Sequence, residues 1–463
     1  MTEAWKALEK CLPSRDCNSD TWWQLTGRHL AAIMDAAGYP LEKQYEALLF
    51  HYHWTVPYMG RAPGLSQHCS TSAWKSLLAL DGTPIEYSWK WNTSKTGSTP
   101  NVRYVVEPIG RDAGTELDPL NQQASRELLF GLKKLLPGMD NTWACYFLAS
   151  LFDHDHAVYM AEAGQKGYLG TSMQLAIEFH GKATAIKSYF FPRKYGQAGL
   201  MPLEQWRMCV DGLKLGGEVD CGAPAAAFIT PARTAVDRFL STSPYGQSLT
   251  PISVAVDNIA PESSRLKWYF HTAQTSFASV RHIMTLGGVI ASSEVEGLLD
   301  QLASLVKAVN GLGDDFPEDV EVPAGSELET SLDFGELSKV LKGYLYYFDI
   351  APGKAVPEIK LFVPTRYYGG NDFVLGHALT QWMQANGRGS HCKSYLGMLE
   401  SLAEHRRLDQ GKGLQTYVSC LFKEGELDIT TYLGAEAFHP GRLASSVRPW
   451  LTKSSTLRRG DWY

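Results

Sequence analysis

Hydrophobic positions along the chain follow two rhythms that take turns. In "SRELLFGLKKLLPG" (125–138) the leucines recur at helical spacing until Pro137-Gly138 ends the run. "SDTWWQLTGRHLAAIMDAAGYP" (19–40) likewise predicts a helix, from a Ser/Asp cap signal to Gly38 with Pro40 behind it. Between such segments lie short runs of alternating polarity at 84–91, 101–109, 173–181, 183–192, 252–258, 264–270, 343–350, 358–364, 415–423 and 427–433. The order helix, strand, strand, helix recurs about five times, and tandem strands with short links favour antiparallel pairing. No linker interrupts this order, so we expect one domain over 1–463, with a short N-terminal helical extension and a tail after about 440.

Strand side chains alternate between faces, so parity sorts them. One face is apolar: Ile85, Tyr87, Trp89 and Trp91; Leu175, Ile177 and Phe179; Leu266, Trp268 and Phe270; Ile359, Leu361 and Val363. Such a face suits a layer of helices. The opposite face carries Glu86, Ser88 and Lys90 on the first strand, then Arg103, then Gln174, Ala176 and Glu178. Further on it carries Lys187 with Tyr189, Arg265 and Lys267 with Tyr269, Lys360 with Phe362, Tyr417 with Lys423, and Tyr432. An ordinary solvated face mixes Glu, Lys, Thr and Gln; this one interleaves cations with phenols. Two architectures fit: an open sheet wet on one side, or a closed antiparallel barrel with a polar, aromatic lumen.

A net charge of -6 over 463 residues gives no bulk attraction to nucleic acid or to an acidic membrane. The N-terminus has no apolar signal region, and no run is long enough to span a bilayer. The eight cysteines form no CxxC pair. Free thiols in a reducing cytoplasm are the simplest reading. If the cations share one lumen, they repel unless a polyanion sits among them. Pyrophosphate fits that demand. Phenols beside it make sense where the departing group leaves a carbocation, which π-faces stabilise.

The runs "IEYSWKW", "VRYVVEP", "IKSYFFP", "RLKWYF", "KLFVP" and "TYVSCLFK…TTYLG", in this order from about residue 20 to 435, resemble the dimethylallyltryptophan synthase family of fungal indole prenyltransferases. The resemblance implies a closed ten-stranded antiparallel barrel inside helices, built from five αββα repeats. It implies that Glu86 hydrogen-bonds the indole N–H. Arg103, Lys187, Arg265, Lys267, Lys360 and Lys423 would hold the diphosphate of dimethylallyl diphosphate. Tyr189, Tyr269, Tyr417 and Tyr432 would shield the dimethylallyl cation, with Phe362 in place of a further shield tyrosine. Gln174, a possible acceptor contact, stands where tryptophan-C4-prenylating members carry a lysine base. Ile252 stands where they carry an arginine for the amino-acid carboxylate. The resemblance therefore implies a neutral indole, such as a tryptophan-containing cyclic dipeptide attacked at C2 or C3. Free tryptophan, another aromatic such as an indole diterpene or a phenol, and a non-catalytic isoprenoid diphosphate binder are the alternatives. No cofactor or metal is expected, and the chain is expected to act as a monomer or homodimer on small molecules.

Other motifs read blandly. "DDFPED" (314–319) resembles an aspartate-rich magnesium motif, but Pro317 and flanking glycines point to an exposed loop. "DHDH" (153–156) reads as a turn rather than a metal nest, and "HYHW" (51–54) carries no metal either. "YYGGNDFVLG" lacks the GK[ST] of a phosphate loop, and its Asn371 or Asp372 reads as a helix cap. "LRRGDWY" reads as a terminal tail.

Overall fold

The computed structural model of the chain describes residues 1–64, 74–92, 98–166, 170–180, 183–192, 201–216, 226–325 and 342–446. Ten strands form where alternation predicts them. They are β1 (Ile85–Lys90), β2 (Asn101–Val106), β3 (Met173–His180), β4 (Ala183–Phe190) and β5 (Thr250–Asp257). There follow β6 (Leu266–Thr272), β7 (Tyr344–Ile350), β8 (Glu358–Val363), β9 (Gln415–Lys423) and β10 (Glu426–Gly434). Each pairs antiparallel with its sequence neighbours, and β1 pairs with β10, Glu86 opposite Gly434 and Ser88 opposite Tyr432. The sheet is thus a closed barrel. Closure leaves no edge strand and creates an inside.

The apolar parity set faces outward under the helices. Trp89 meets Tyr395 at 5.5 Å, Trp268 meets Trp206 at 6.2 Å, and Phe348 meets Phe239 at 6.3 Å between ring centroids. Trp89, Trp268 and Phe348 are fully buried, and each such ring contributes about 3 kcal/mol by leaving water. Helix Gln123–Leu135 matches its leucine pattern, and Gly138 takes the left-handed φ of +79° that ends the segment.

The helix near residue 20 starts earlier than its Ser/Asp signal suggests. Asp16 is the cap, accepting from the Asn18 and Ser19 amides at 3.0 and 3.1 Å. A π-turn over Trp23–Gly27 interrupts the helix where a Cβ on Gly27 would fall 2.6 Å from the Trp23 ring.

The segment 314–319 is an exposed loop. His154 at the "DHDH" turn bonds the Ala149 carbonyl, and His51 bonds Thr26. Asn371 caps the next helix, accepting from the Val374 amide at 2.9 Å. Residues 440–446 form a short helix, and the "LRRGDWY" tail lies outside the described residues. Among the described residues no helix is long and apolar enough to cross a membrane.

Candidate active site

The inward face of the barrel surrounds a cavity of about 480 Å³, lined by Glu86, Arg103, Gln174, Lys187, Tyr189, Arg265, Lys267, Tyr269, Lys360, Phe362, Tyr417, Lys423 and Tyr432. All the residues singled out from the sequence therefore meet in one chamber. Strands that are distant in sequence bring them together because the barrel closes.

The chamber has two unlike ends, and every hairpin obeys the same polarity. Charges cluster at the hairpin-turn end: Lys90 and Arg103, Glu178 and Lys187, Asp257 and Arg265, Asp349 and Glu358, Lys423 and Asp428. Because adjacent strands run antiparallel, turn ends of all five hairpins share one side of the barrel. Farther from the turns the same inward faces become aromatic: Tyr189, Tyr269, Tyr347, Phe362, Tyr417 and Tyr432.

At the charged end the cations are not left to repel one another, contrary to the expectation from sequence. Glu178 takes Arg103 at 2.9 Å and Lys187 at 2.6 Å. Asp257 takes Lys267 at 2.9 Å and Arg265 at 2.7 Å, and Asp349 takes Arg265 at 3.0 Å. The Arg103 guanidinium is further aimed by Ser88, which accepts from its Nε at 2.7 Å, and by Tyr432, which accepts from Nη2 at 2.8 Å. Burial by itself would raise the Asp257 pKa, but Lys267, Lys187 and Arg265 overcome that and hold it at about 2. Burial lowers Lys187 to about 8, against the opposing pull of Glu178. Lys360 donates to the Thr430 hydroxyl at 3.3 Å and lies 5.6 Å from the Phe362 centroid, and among the described residues no carboxylate pairs with it; burial with nearby Arg103 lowers it to about 7. Lys423 stands on the exposed rim of the same end.

Asp257 and Asp349 escaped the parity reading because the faces of β5 and β7 were not assigned. Their signal was position: Asp257 ends the first strand of its hairpin and Asp349 is the penultimate residue of the first strand of the next.

The belt is built around Phe362. Its ring centroid lies 5.7 Å from Tyr432, 5.8 Å from Tyr347, 6.0 Å from Tyr269 and 6.5 Å from Tyr417. Tyr189 extends the belt through Tyr269 at 6.0 Å. Burial raises the pKa of each of these phenols, so they stay neutral and present π-faces without charge. Tyr347 is a belt member that the sequence reading missed.

The far end holds Glu86. Burial raises its pKa to about 7, although the Thr416 hydroxyl, 2.6 Å from Oε1, and the Arg366 and Arg103 charges pull the other way. Two bulges shape this end. The β9 register shifts between Gln415 and Tyr417, so Thr416 reaches Glu86 while its neighbour Tyr417 also faces the cavity. The β5 register shifts between Pro251 and Ser253, at a proline that offers no N–H to the ladder, and both Ile252 and Ser253 line the cavity. Gln174 sits opposite Tyr189 on the neighbouring strand. No arginine adjoins Ile252 in the sequence, yet Arg366 lines this end from the turn of helix after β8. Its Nη2 donates to the Tyr417 hydroxyl at 2.6 Å.

A ten-stranded closed barrel whose lumen runs from paired cations through an aromatic belt to a buried acid is the frame of an aromatic prenyltransferase. The chain belongs to the tryptophan dimethylallyltransferase family, whose model matches residues 18–398. It is similar to prenyltransferase GME11375 of Pestalotiopsis microspora, 52% identical over 100% of this chain and 98% of that one. It is also similar to xanthone prenyltransferase B of Emericella nidulans, 45% identical over 99% and 95%. Among solved structures its fold matches AnaPT from Neosartorya fischeri with a TM-score of 0.73, at 23% identity over 94% of this chain and 98% of that one. NotF in complex with brevianamide F and DMSPP matches with a TM-score of 0.71, at 20% identity over 94% and 99%.

Proposed function

We propose that the chain transfers a dimethylallyl group from dimethylallyl diphosphate to a ring carbon of a fused, hydroxylated aromatic acceptor in fungal secondary metabolism, in the cytoplasm. The observation that carries the prenyl-transfer reading is the shared polarity of the five hairpins, charge at the turns and π-faces beyond them.

In this reading Arg103, Lys187, Arg265, Lys267 and Lys360 donate to the diphosphate, with Lys423 at the entrance. They stabilise the charge that develops as the C–O bond breaks and its electron pair leaves with the diphosphate. The carboxylates Glu178, Asp257 and Asp349 hold those donors in place beforehand, so little reorganisation accompanies ionisation. The allyl cation rests against Phe362, Tyr189, Tyr269, Tyr417 and Tyr432, whose faces stabilise it and exclude water. The acceptor ring lies between this belt and Glu86. A ring carbon attacks and the C–C bond forms while Glu86 takes the proton from the acceptor heteroatom; the C–H proton of the prenylated carbon then leaves and the heteroatom is reprotonated, which restores the aromatic ring. With cations in the role of a counter-charge, the reaction is expected to run without a metal.

The hydroxylated acceptor is favoured by relatives: the chain is 45% identical over nearly its whole length to a protein named for xanthone prenylation. The second reading is the indole of a tryptophan-containing cyclic dipeptide, expected from the sequence. Glu86 suits an indole N–H as well as a phenol O–H, Gln174 suits a neutral acceptor, and NotF, which binds brevianamide F, shares the barrel.

The test is incubation with dimethylallyl diphosphate and, separately, a dihydroxyxanthone, cyclo-(Trp-Pro) and tryptophan, with product structures determined. We expect C-prenylation of the xanthone. Turnover of cyclo-(Trp-Pro) alone would transfer the conclusion to the second reading, and consumption of no aromatic would overturn both.

A further inference from the structure

Resting on the aromatic-acceptor reading above, we propose that Arg366 is the counter-ion for an anionic oxygen of the acceptor, a phenolate or a carboxylate next to the prenylated ring. The side chain is buried, 3% exposed, and lines the cavity at the Glu86 end. Two tyrosines flank it, Tyr417 and, with its ring centroid 5.7 Å from the guanidinium carbon, Tyr367. Nη2 donates to Tyr417, the guanidinium carbon lies 4.6 Å from that ring's centroid, and the buried Nε has no hydrogen-bond partner.

Among the described residues no carboxylate pairs with it. Arg103, Lys187, Arg265, Lys267 and Lys90, at the opposite end, each have one within 3.0 Å. A buried guanidinium with an unpartnered Nε–H and, among the described residues, no carboxylate in ion-pair contact is costly to the fold unless a ligand completes it, since Glu86 acts on it only through space. The diphosphate is poorly placed to do so. Arg366 follows the end of β8 that carries Phe362, whereas the charged end of that strand begins at Glu358, a full strand away. What remains within its reach is the acceptor. Its planar fork suits an oxygen anion, which it would grip between Tyr417 and Glu86. The grip would turn one edge of the acceptor ring toward the belt.

The experiment compares wild type, Arg366→Gln and Arg366→Lys at pH 6.5 with 1-hydroxy-2-naphthoate and its carboxamide, which is neutral at that pH, and at pH 8.5 with a dihydroxyxanthone, reading KM and kcat for each. We expect Arg366→Gln to raise KM for the naphthoate at least tenfold and to change KM for the carboxamide less than threefold, with Arg366→Lys between wild type and Gln. A rise for the xanthone as well would identify phenolate as a ligand of the same group. A KM ratio of naphthoate to carboxamide that is the same in all three proteins overturns the inference, because a merely structural role would move both probes together. If wild type prenylates cyclo-(Trp-Pro) and none of the phenols, the hydroxylated-acceptor reading fails by itself. Arg366 is then judged by equilibrium binding of indole-3-propionate against indole-3-propionamide to the same three proteins, with the same criterion on the ratio. Should Arg366→Gln not fold, wild type and Arg366→Lys decide by that ratio.

Discussion

Glu86→Gln should make the protein more stable at alkaline pH while it removes most of its activity. Glu86 is 7% exposed, and its folded pKa is about 7 against an ordinary 4.5, chiefly because burial disfavours the carboxylate. Between pH 4.5 and 7 the native state keeps a proton that the unfolded chain has released. Stability therefore falls as pH rises across that window, and the whole penalty stands above pH 7. At ~1.4 kcal/mol per pH unit, the gap from 4.5 to about 7 amounts to about 3 kcal/mol. At pH 5.5 only about 1 kcal/mol of it has appeared.

Glutamine cannot ionise, and its Oε1 still accepts from Thr416, so the variant escapes the penalty and keeps the contact. Thermal unfolding of both proteins at pH 5.5 and pH 8 measures this. For a chain of this length roughly 1 kcal/mol shifts Tm by about 1 °C, so the advantage of the variant should grow by about 2 °C between the two pH values. Turnover should fall at least ~100-fold, the scale of a lost general base. A Tm difference that does not change with pH would refute the buried, strained carboxylate, and near-normal turnover would refute its catalytic role.

Three further outcomes follow from the same chamber. Lys187→Ala removes a donor seated on Glu178 at 2.6 Å and should raise KM for dimethylallyl diphosphate and lower kcat by about tenfold or more, the scale of one lost charge-assisted contact; steady-state kinetics unchanged in both would exclude it from the diphosphate site. Asp257→Asn leaves Lys267 without its ion-pair partner and should destabilise the ligand-free protein by about 3 kcal/mol, as breaking one side of a buried pair does. Inorganic pyrophosphate should then raise Tm more in this variant than in wild type, and an equal rise would count against the anion site. Prenylation should continue in excess EDTA, and loss restored by magnesium would show that the cation cluster does not suffice.

Much of this architecture was legible in the residues themselves. Alternation located all ten strands within a few positions, because a strand between helices and a lumen must change polarity at every step. The same parity placed Glu86, Arg103, Lys187, Arg265, Lys267 and the tyrosines on a common face. Asp257 and Asp349 were harder. They lie on strands whose inward face holds no other charge, with Ser253 on β5 and Leu345 and Tyr347 on β7, so no run of cations marked them. Arg366 was beyond any periodic signal, since it belongs to a single helical turn outside the strands.

Local pattern thus determined which residues form strands, which face each side chain takes, and that the strands pair antiparallel. Those properties depend on neighbours two to four positions away. Whether that face looks into water or into a chamber was decided only by the pairing of β1 with β10, across more than three hundred residues. The register between strands decided which acid neutralises which base, with Lys90 and Asp428 meeting across the closing seam. Those are distances between strands, and a one-dimensional pattern holds no information about them.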